Sequence, residues 1–168
     1  MIIFVAAGSG RGTTELAAFD AALVAAGVAD RNLIYLSSVL PPDSEVEPVN
    51  RIVCTPGGWG DRLYCVVARA DAGCDGAQAW AGIGWAQDDS GRGLLVEHEA
   101  ADEATLRATI DMSLSGMCRN RGARLPYRGM KVVGARCTGE PVCALAVAVF
   151  EAAAWRCAAV PARQWVPA

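Results

Sequence analysis

Helical spacing is confined to two stretches, residues 15–26 and the segment that follows Asp102, while the rest reads as short strands and turns. A chain ordered strand, helix, several strands, helix, strands does not fit a regular βαβ repeat. It points instead to an α+β domain in which sheets pack between or against helices. The opening run Ile2 to Ala7 is apolar and reads as a buried strand. Gly8, Gly10 and Gly12 then mark a loop, and Thr13 or Thr14 is placed to cap the first helix, with Glu15 in its first turn and Gly27 at its end. Leu16, Phe19, Leu23 and Ala26 form the apolar stripe of that helix, and Asp20 falls inside the stripe. A second strand spans Asn32 to Ser38 and is ended by Pro41-Pro42. Further strands are predicted at Leu63–Arg69, Ala77–Ala86 and Gly93–Glu99. Asp102 caps the second helix, whose Leu106, Ile110, Leu114 and Met117 share one face up to about Gly122. Met130–Cys137 and Val142–Ala153 read as closing strands, the alanines of the latter being equally compatible with helix.

At 168 residues the chain suits a single domain with its own core, and 53% apolar against 20% charged residues places it among folding sequences. A net charge of −3 argues against a nucleic-acid binder, which would show a concentrated basic face. The longest apolar run, Val142 to Phe150, is halted by Glu151 and Arg156. It falls short of the ~20 residues needed to span a bilayer. Met1 to Ala7 lacks a basic leader region. Neither nucleic acid nor membrane is therefore expected as a partner. Seven cysteines, at 54, 65, 74, 118, 137, 143 and 157, are an odd number without a Cys-x-x-Cys pair. They read as small free thiols in a reducing cytoplasm, and no metal site is expected.

Familiar catalytic motifs fail on inspection. Gly8-Ser9-Gly10-Arg11-Gly12-Thr13 lacks the last glycine of a dinucleotide loop, and no Gly-Lys-Ser/Thr phosphate loop occurs. The single histidine, His98, has no nucleophile signature to join it, and reads as solvated or as hydrogen-bonded for structural reasons. Of fifteen basic residues only Lys131 is a lysine, so a lysine-held pyridoxal cofactor would have one candidate, and that residue reads as a polar strand position.

The informative stretch runs from Gly12 to Pro42. It contains Ala18-Phe19-Asp20, Ala26-Gly27-Val28, Asn32-Leu33-Ile34 and Ser37-Ser38-Val39-Leu40-Pro41-Pro42. These groups and their spacing resemble the pyruvoyl-dependent arginine decarboxylase family. Gly93-Leu94-Leu95-Val96-Glu97-His98-Glu99 looks like that family's Gly-Leu-Ile-x-Glu-aromatic-Glu strand. The resemblance implies a four-layer α-β-β-α sandwich assembled as a homotrimer, or a multiple of it, with sites between subunits.

It also implies a chemistry. The Ser38 hydroxyl attacks the Ser37 carbonyl, elimination leaves dehydroalanine, and hydrolysis leaves a pyruvoyl group, so residues 1–37 and 38–168 become separate chains. A strand end running into two prolines restricts that peptide. Asn32, six residues before Ser38 and hence on the same face of an unbroken strand, is implied to assist cleavage. The pyruvoyl ketone would take the amine of an amino-acid substrate as a Schiff base and serve as electron sink, with neither pyridoxal phosphate nor metal. Glu97 would return the proton to the substrate carbon if burial holds it protonated, with Glu99 on the same face as a fallback. In this scheme Glu97→Gln leaves splitting possible and removes turnover. Asp20 would pair with the guanidinium of arginine. Read without the resemblance, Asp20 is a buried acid paired with an arginine such as Arg11, Glu97 an exposed strand carboxylate, and Ser37-Ser38 a polar strand end. The chain departs from the family pattern in two places, the charged pair Asp30-Arg31 before Asn32 and His98 where an aromatic residue is expected. An extra cation near the pocket would favour an acidic or shorter amino acid. The alternatives are therefore the same reaction on another amino acid, or an uncleaved binding or regulatory relative.

Overall fold

A computed structural model of the chain describes residues 1–53 and 57–155. Cys54, Arg156 and Cys157 lie outside the described residues. The elements are β1 (Ile2–Arg11), α1 (Glu15–Ala26), β2 (Asn32–Tyr35), β3 (Val39–Leu40), β4 (Glu45–Pro48), β5 (Arg62–Ala72), β6 (Gln78–Gln87), β7 (Gly93–Ala100), α2 (Glu103–Asn120), β8 (Tyr127–Arg136) and β9 (Val142–Ala153). They form a five-stranded sheet in the order β2-β5-β9-β1-β4 and a four-stranded sheet in the order β3-β7-β6-β8. Three apolar clusters separate four layers. One, with Ile3, Val5, Ile83 and Ala146, lies between the sheets. A second, with Ala18, Ala22, Leu145 and Val147, lies between α1 and the five-stranded sheet. The third, with Leu106, Ile110, Leu114 and Val96, lies between α2 and the four-stranded sheet. The architecture is an α+β sandwich with the helices outside.

Helix α1 buries part of its predicted stripe, Ala26 fully and Phe19 and Leu23 at its border, but the contact is centred one residue away and leaves Leu16 outside. Its buried residues are Ala18, Ala22 and Ala26, whereas Leu16 is 72% exposed. The cause lies in β1, which continues through Gly8 and Gly10 to Arg11 rather than ending in a loop. A Cβ on Gly8 would lie 2.7 Å from the Ala22 carbonyl oxygen, and one on Gly10 would lie 2.3 Å from that of Ala18. Glycine on the strand and alanine on the helix let the two backbones come together more closely than larger side chains allow. The turn of the helix puts Asp20 on its exposed side, outside the predicted buried stripe. The caps are as expected: the Thr14 hydroxyl accepts from the Ala17 N–H at 3.1 Å, and Gly27 closes the helix at φ 86°.

Strand β9 resolves the helix-or-strand ambiguity of its alanine-rich sequence. It pairs antiparallel with β1 on one side and β5 on the other, so both faces are covered. Ala144, Ala146 and Ala148 face the second sheet, while Cys143, Leu145, Val147 and Val149 face α1. The short, charged β4 runs parallel to β1 at the sheet edge and escaped sequence reading. Four of the five described cysteines are buried and Cys74 is exposed, all with free thiols. No helix among the described residues is long and apolar enough to cross a membrane.

Candidate active site

The chain changes sheets at the serine pair. Strand β2 belongs to the five-stranded sheet, and the Leu36 N–H still donates to the Cys65 carbonyl there at 2.9 Å. Strand β3 belongs to the four-stranded sheet, and the Ser38 carbonyl already accepts from the Leu95 N–H at 2.9 Å. Ser37-Ser38 thus spans the crossing, anchored on both sides. Ser38 takes φ 60°, a left-handed conformation that disfavours any residue with a Cβ. Its side chain turns inward, leaving the residue 7% exposed, and its Oγ donates to Glu97 Oε2 at 2.7 Å. The strand predicted to run unbroken from Asn32 to Ser38 instead stops at Tyr35, so the alternation that placed both residues on one face does not carry through.

Glu97 and His98 are neighbours on β7 and point to opposite sides. Glu97 follows Leu95 on the side facing the other sheet, and His98 follows Val96 on the side facing α2, where its Nε2 lies 2.7 Å from Ser113 Oγ. Both meet one cavity of about 510 Å³ at the edge of β7, lined by Ser37, Ser38, Val96 and Glu97 at one end and by Ser113 and Asn120 of α2 at the other. Sequence reading missed the α2 wall. Ser113 lies three residues after Ile110, at the border of the apolar stripe, and spacing alone does not distinguish such a border position from a solvent-facing one.

The other predicted residues lie apart from this cavity. Asp20 is exposed on α1, and Asn32 is exposed at the start of β2. The Asn32 side-chain amide donates to the Gly60 carbonyl, which also accepts from Trp155 Nε1 at 3.0 Å. Neighbouring Arg31 donates to the carbonyls of Gly58 at 3.0 Å and Gly57 at 3.1 Å and lies 3.9 Å from Asp61, so its charge is held by this loop. Glu97 is itself exposed, so a single chain does not supply the burial expected of a proton donor. Glu99 and Lys131 do not line the cavity; Lys131 sits on β8 opposite Ile83. Among the described residues no group of three or more His, Cys, Asp or Glu side chains is disposed to hold a metal ion.

A sequence model of the pyruvoyl-dependent arginine decarboxylase family matches residues 2–153. A pyruvoyl-dependent arginine decarboxylase of Halobacterium salinarum is 42% identical over 122 residues, covering 73% of this chain and 74% of the relative. One from Methanopyrus kandleri is 37% identical over 119 residues, covering 70% and 74%. One from Methanocaldococcus jannaschii is 29% identical over 135 residues, covering 79% and 68%.

Proposed function

We propose, because this chain belongs to the pyruvoyl-dependent arginine decarboxylase family, that it splits itself between Ser37 and Ser38 and converts L-arginine to agmatine and carbon dioxide. The observation that carries this reading is Ser38: buried, at φ 60°, with Oγ 2.7 Å from the Glu97 carboxylate. A left-handed backbone costs a non-glycine residue roughly 1–2 kcal/mol. Cleavage of the Ser37–Ser38 peptide releases that strain, and Glu97 is placed to take the hydroxyl proton.

The steps balance within the chain and water. Ser38 Oγ passes its proton to Glu97 and bonds to the Ser37 carbonyl carbon. The Ser37–Ser38 C–N bond breaks and its nitrogen takes that proton back from Glu97, becoming the amine of residue 38. The ester so formed then loses the Ser38 Cα proton and the Ser37 carboxylate, leaving an enamine that tautomerises and adds water. Ammonia departs and the ketone of a pyruvoyl group remains. The site fits such a group, since Ser38 is enclosed, its carbonyl is held by Leu95, and a carboxylate stands beside its reactive atom. The pyruvoyl group supplies an electrophilic carbonyl that accepts the substrate amine and withdraws the charge left by carbon dioxide. Glu97 then holds the proton that returns to the substrate α-carbon.

Asp20 and Asn32 stand outside the cavity of their own chain, which supports a homotrimer of split protomers in which a second copy brings Asp20 to the guanidinium. Burial of Glu97 by that copy would supply the enclosure absent from one chain. The free thiols suit a reducing cytoplasm.

Intact mass spectrometry tests the proposal. Two species, residues 1–37 and a pyruvoyl-terminated 38–168, are expected, and Ser38→Ala keeps the chain whole. A single 168-residue wild-type chain after prolonged incubation contradicts the enzyme and favours a non-catalytic relative. Splitting without carbon dioxide release from arginine points to another amino acid.

A further inference from the structure

His98 lines the cavity without a part in the proposed chemistry, and its surroundings assign it one. β3 pairs with β7 only at Leu94 and Gly93, and Leu95 spends its N–H on the Ser38 carbonyl. Beyond Leu95 the outer edge of β7 has no strand partner among the described residues. Glu97 sits on that one-sided stretch, yet its carboxylate must meet a hydroxyl within hydrogen-bond distance. The next residue, His98, reaches the other way and bonds through Nε2 to Ser113 Oγ at 2.7 Å. Ser113 is carried by α2, whose Ile110 and Leu114 on either side are fully buried against the same sheet. The strut therefore ends on a fixed element. Because adjacent strand residues share a backbone but point to opposite faces, fixing the His98 ring fixes the direction in which Glu97 leaves the strand.

We propose that the His98–Ser113 pair is a positioning device for Glu97, holding its carboxylate on Ser38 during self-cleavage and at the substrate carbon during turnover. The inference rests on the roles given above to Ser38 and Glu97. Its test uses the full chain with Ser113→Ala, which removes the bond with little change in volume, and Ser113→Thr, which retains the hydroxyl. Splitting is followed by intact mass, and the fully split protein is assayed for kcat and KM with arginine. Ser113→Ala is expected to slow splitting and lower kcat about three- to tenfold, the effect of one modest hydrogen bond, with KM unchanged. Ser113→Thr is expected to restore both. In a Glu97→Gln background Ser113→Ala should add no further loss in splitting rate, a non-additivity that a merely structural role would not produce. If Ser113→Ala does not fold, His98→Phe, which keeps the ring and loses the bond, is read against the same outcomes. A Ser113→Ala chain that splits and turns over like wild type, or that loses only melting temperature, overturns the inference alone. A wild-type chain that never splits overturns it together with the reading on which it rests.

Discussion

At the residue scale, the contact between Ser38 and Glu97 changes what a single substitution is expected to do. On the resemblance alone Glu97→Gln leaves splitting possible, whereas under the proposed function the hydrogen bond from Ser38 Oγ to Glu97 Oε2 would give the carboxylate a part in it. Glutamine cannot accept the proton, so splitting of Glu97→Gln is expected to slow about a hundredfold or more, the usual range for a lost general base. A time course of intact masses reads this directly, and a variant that splits at the wild-type rate would return Glu97 to turnover alone. Cysteines offer a second contrast. Burial pushes the thiols of Cys65 and Cys143 up to about 12, Asp71 reinforcing the shift at Cys143, whereas Cys74 is exposed. Under native conditions a thiol-alkylating reagent should label Cys74 and spare Cys65 and Cys143, as peptide mass mapping would reveal. An unfolded thiol ionises near 8.5, so the native state retains protons that the unfolded state releases. The stability these two thiols contribute is complete below about pH 8.5 and falls as pH rises toward 12. Urea unfolding at a series of alkaline pH values checks the sign.

At the element scale, the contact of α1 with β1 decides which face of the helix is buried. The predicted stripe is Leu16, Phe19, Leu23 and Ala26; Ala26 is fully buried and Phe19 and Leu23 pack against the core, but the close approach at Gly8 and Gly10 centres the contact on Ala18 and Ala22 and leaves Leu16 exposed. Phe19 still contributes, half-buried, with the Arg69 guanidinium carbon 4.0 Å from its ring centre. Gly10→Ala would drive a methyl into the Ala18 carbonyl and the Ala22 nitrogen, both backbone atoms that cannot step aside. A loss of about 2–3 kcal/mol is expected, measured as a lower urea midpoint. Leu16→Ser, on the exposed side, should shift the midpoint little. The helices, their caps and most strands were legible from periodicity and punctuation, since those signals are local. The centre of the buried face of α1 and the strand character of Gly8 to Arg11 were not, because each follows from the shape of its partner. Strand β4 was hidden for a related reason: its pairing with β1 is the only thing that makes Glu45–Pro48 a strand.

At the scale of the whole molecule, the candidate site lies where the chain passes from one sheet to the other, and not every predicted site residue is gathered there. Ser38, Glu97 and His98 meet in one cavity, while Asp20 and Asn32 lie outside it. If sites form between copies, co-expressed Ser38→Ala and Asp20→Asn chains should regain arginine decarboxylation that neither shows alone, since some interfaces would join an intact serine to an intact aspartate. Light scattering should find a trimer or a multiple of it. Activity that stays absent in the mixture would confine the site to a single chain. What the sequence by itself determined is the set of local facts: where the helices start and stop, which segments can be strands, and a serine pair before two prolines in a spacing that marks the family. Only the tertiary structure decided that Ser38 is bent into a left-handed turn against Glu97, that His98 bonds across to Ser113 of α2, and that Asp20 faces outward. Side-chain direction and backbone strain there are set by residues distant along the chain, and depend on how two sheets and two helices pack.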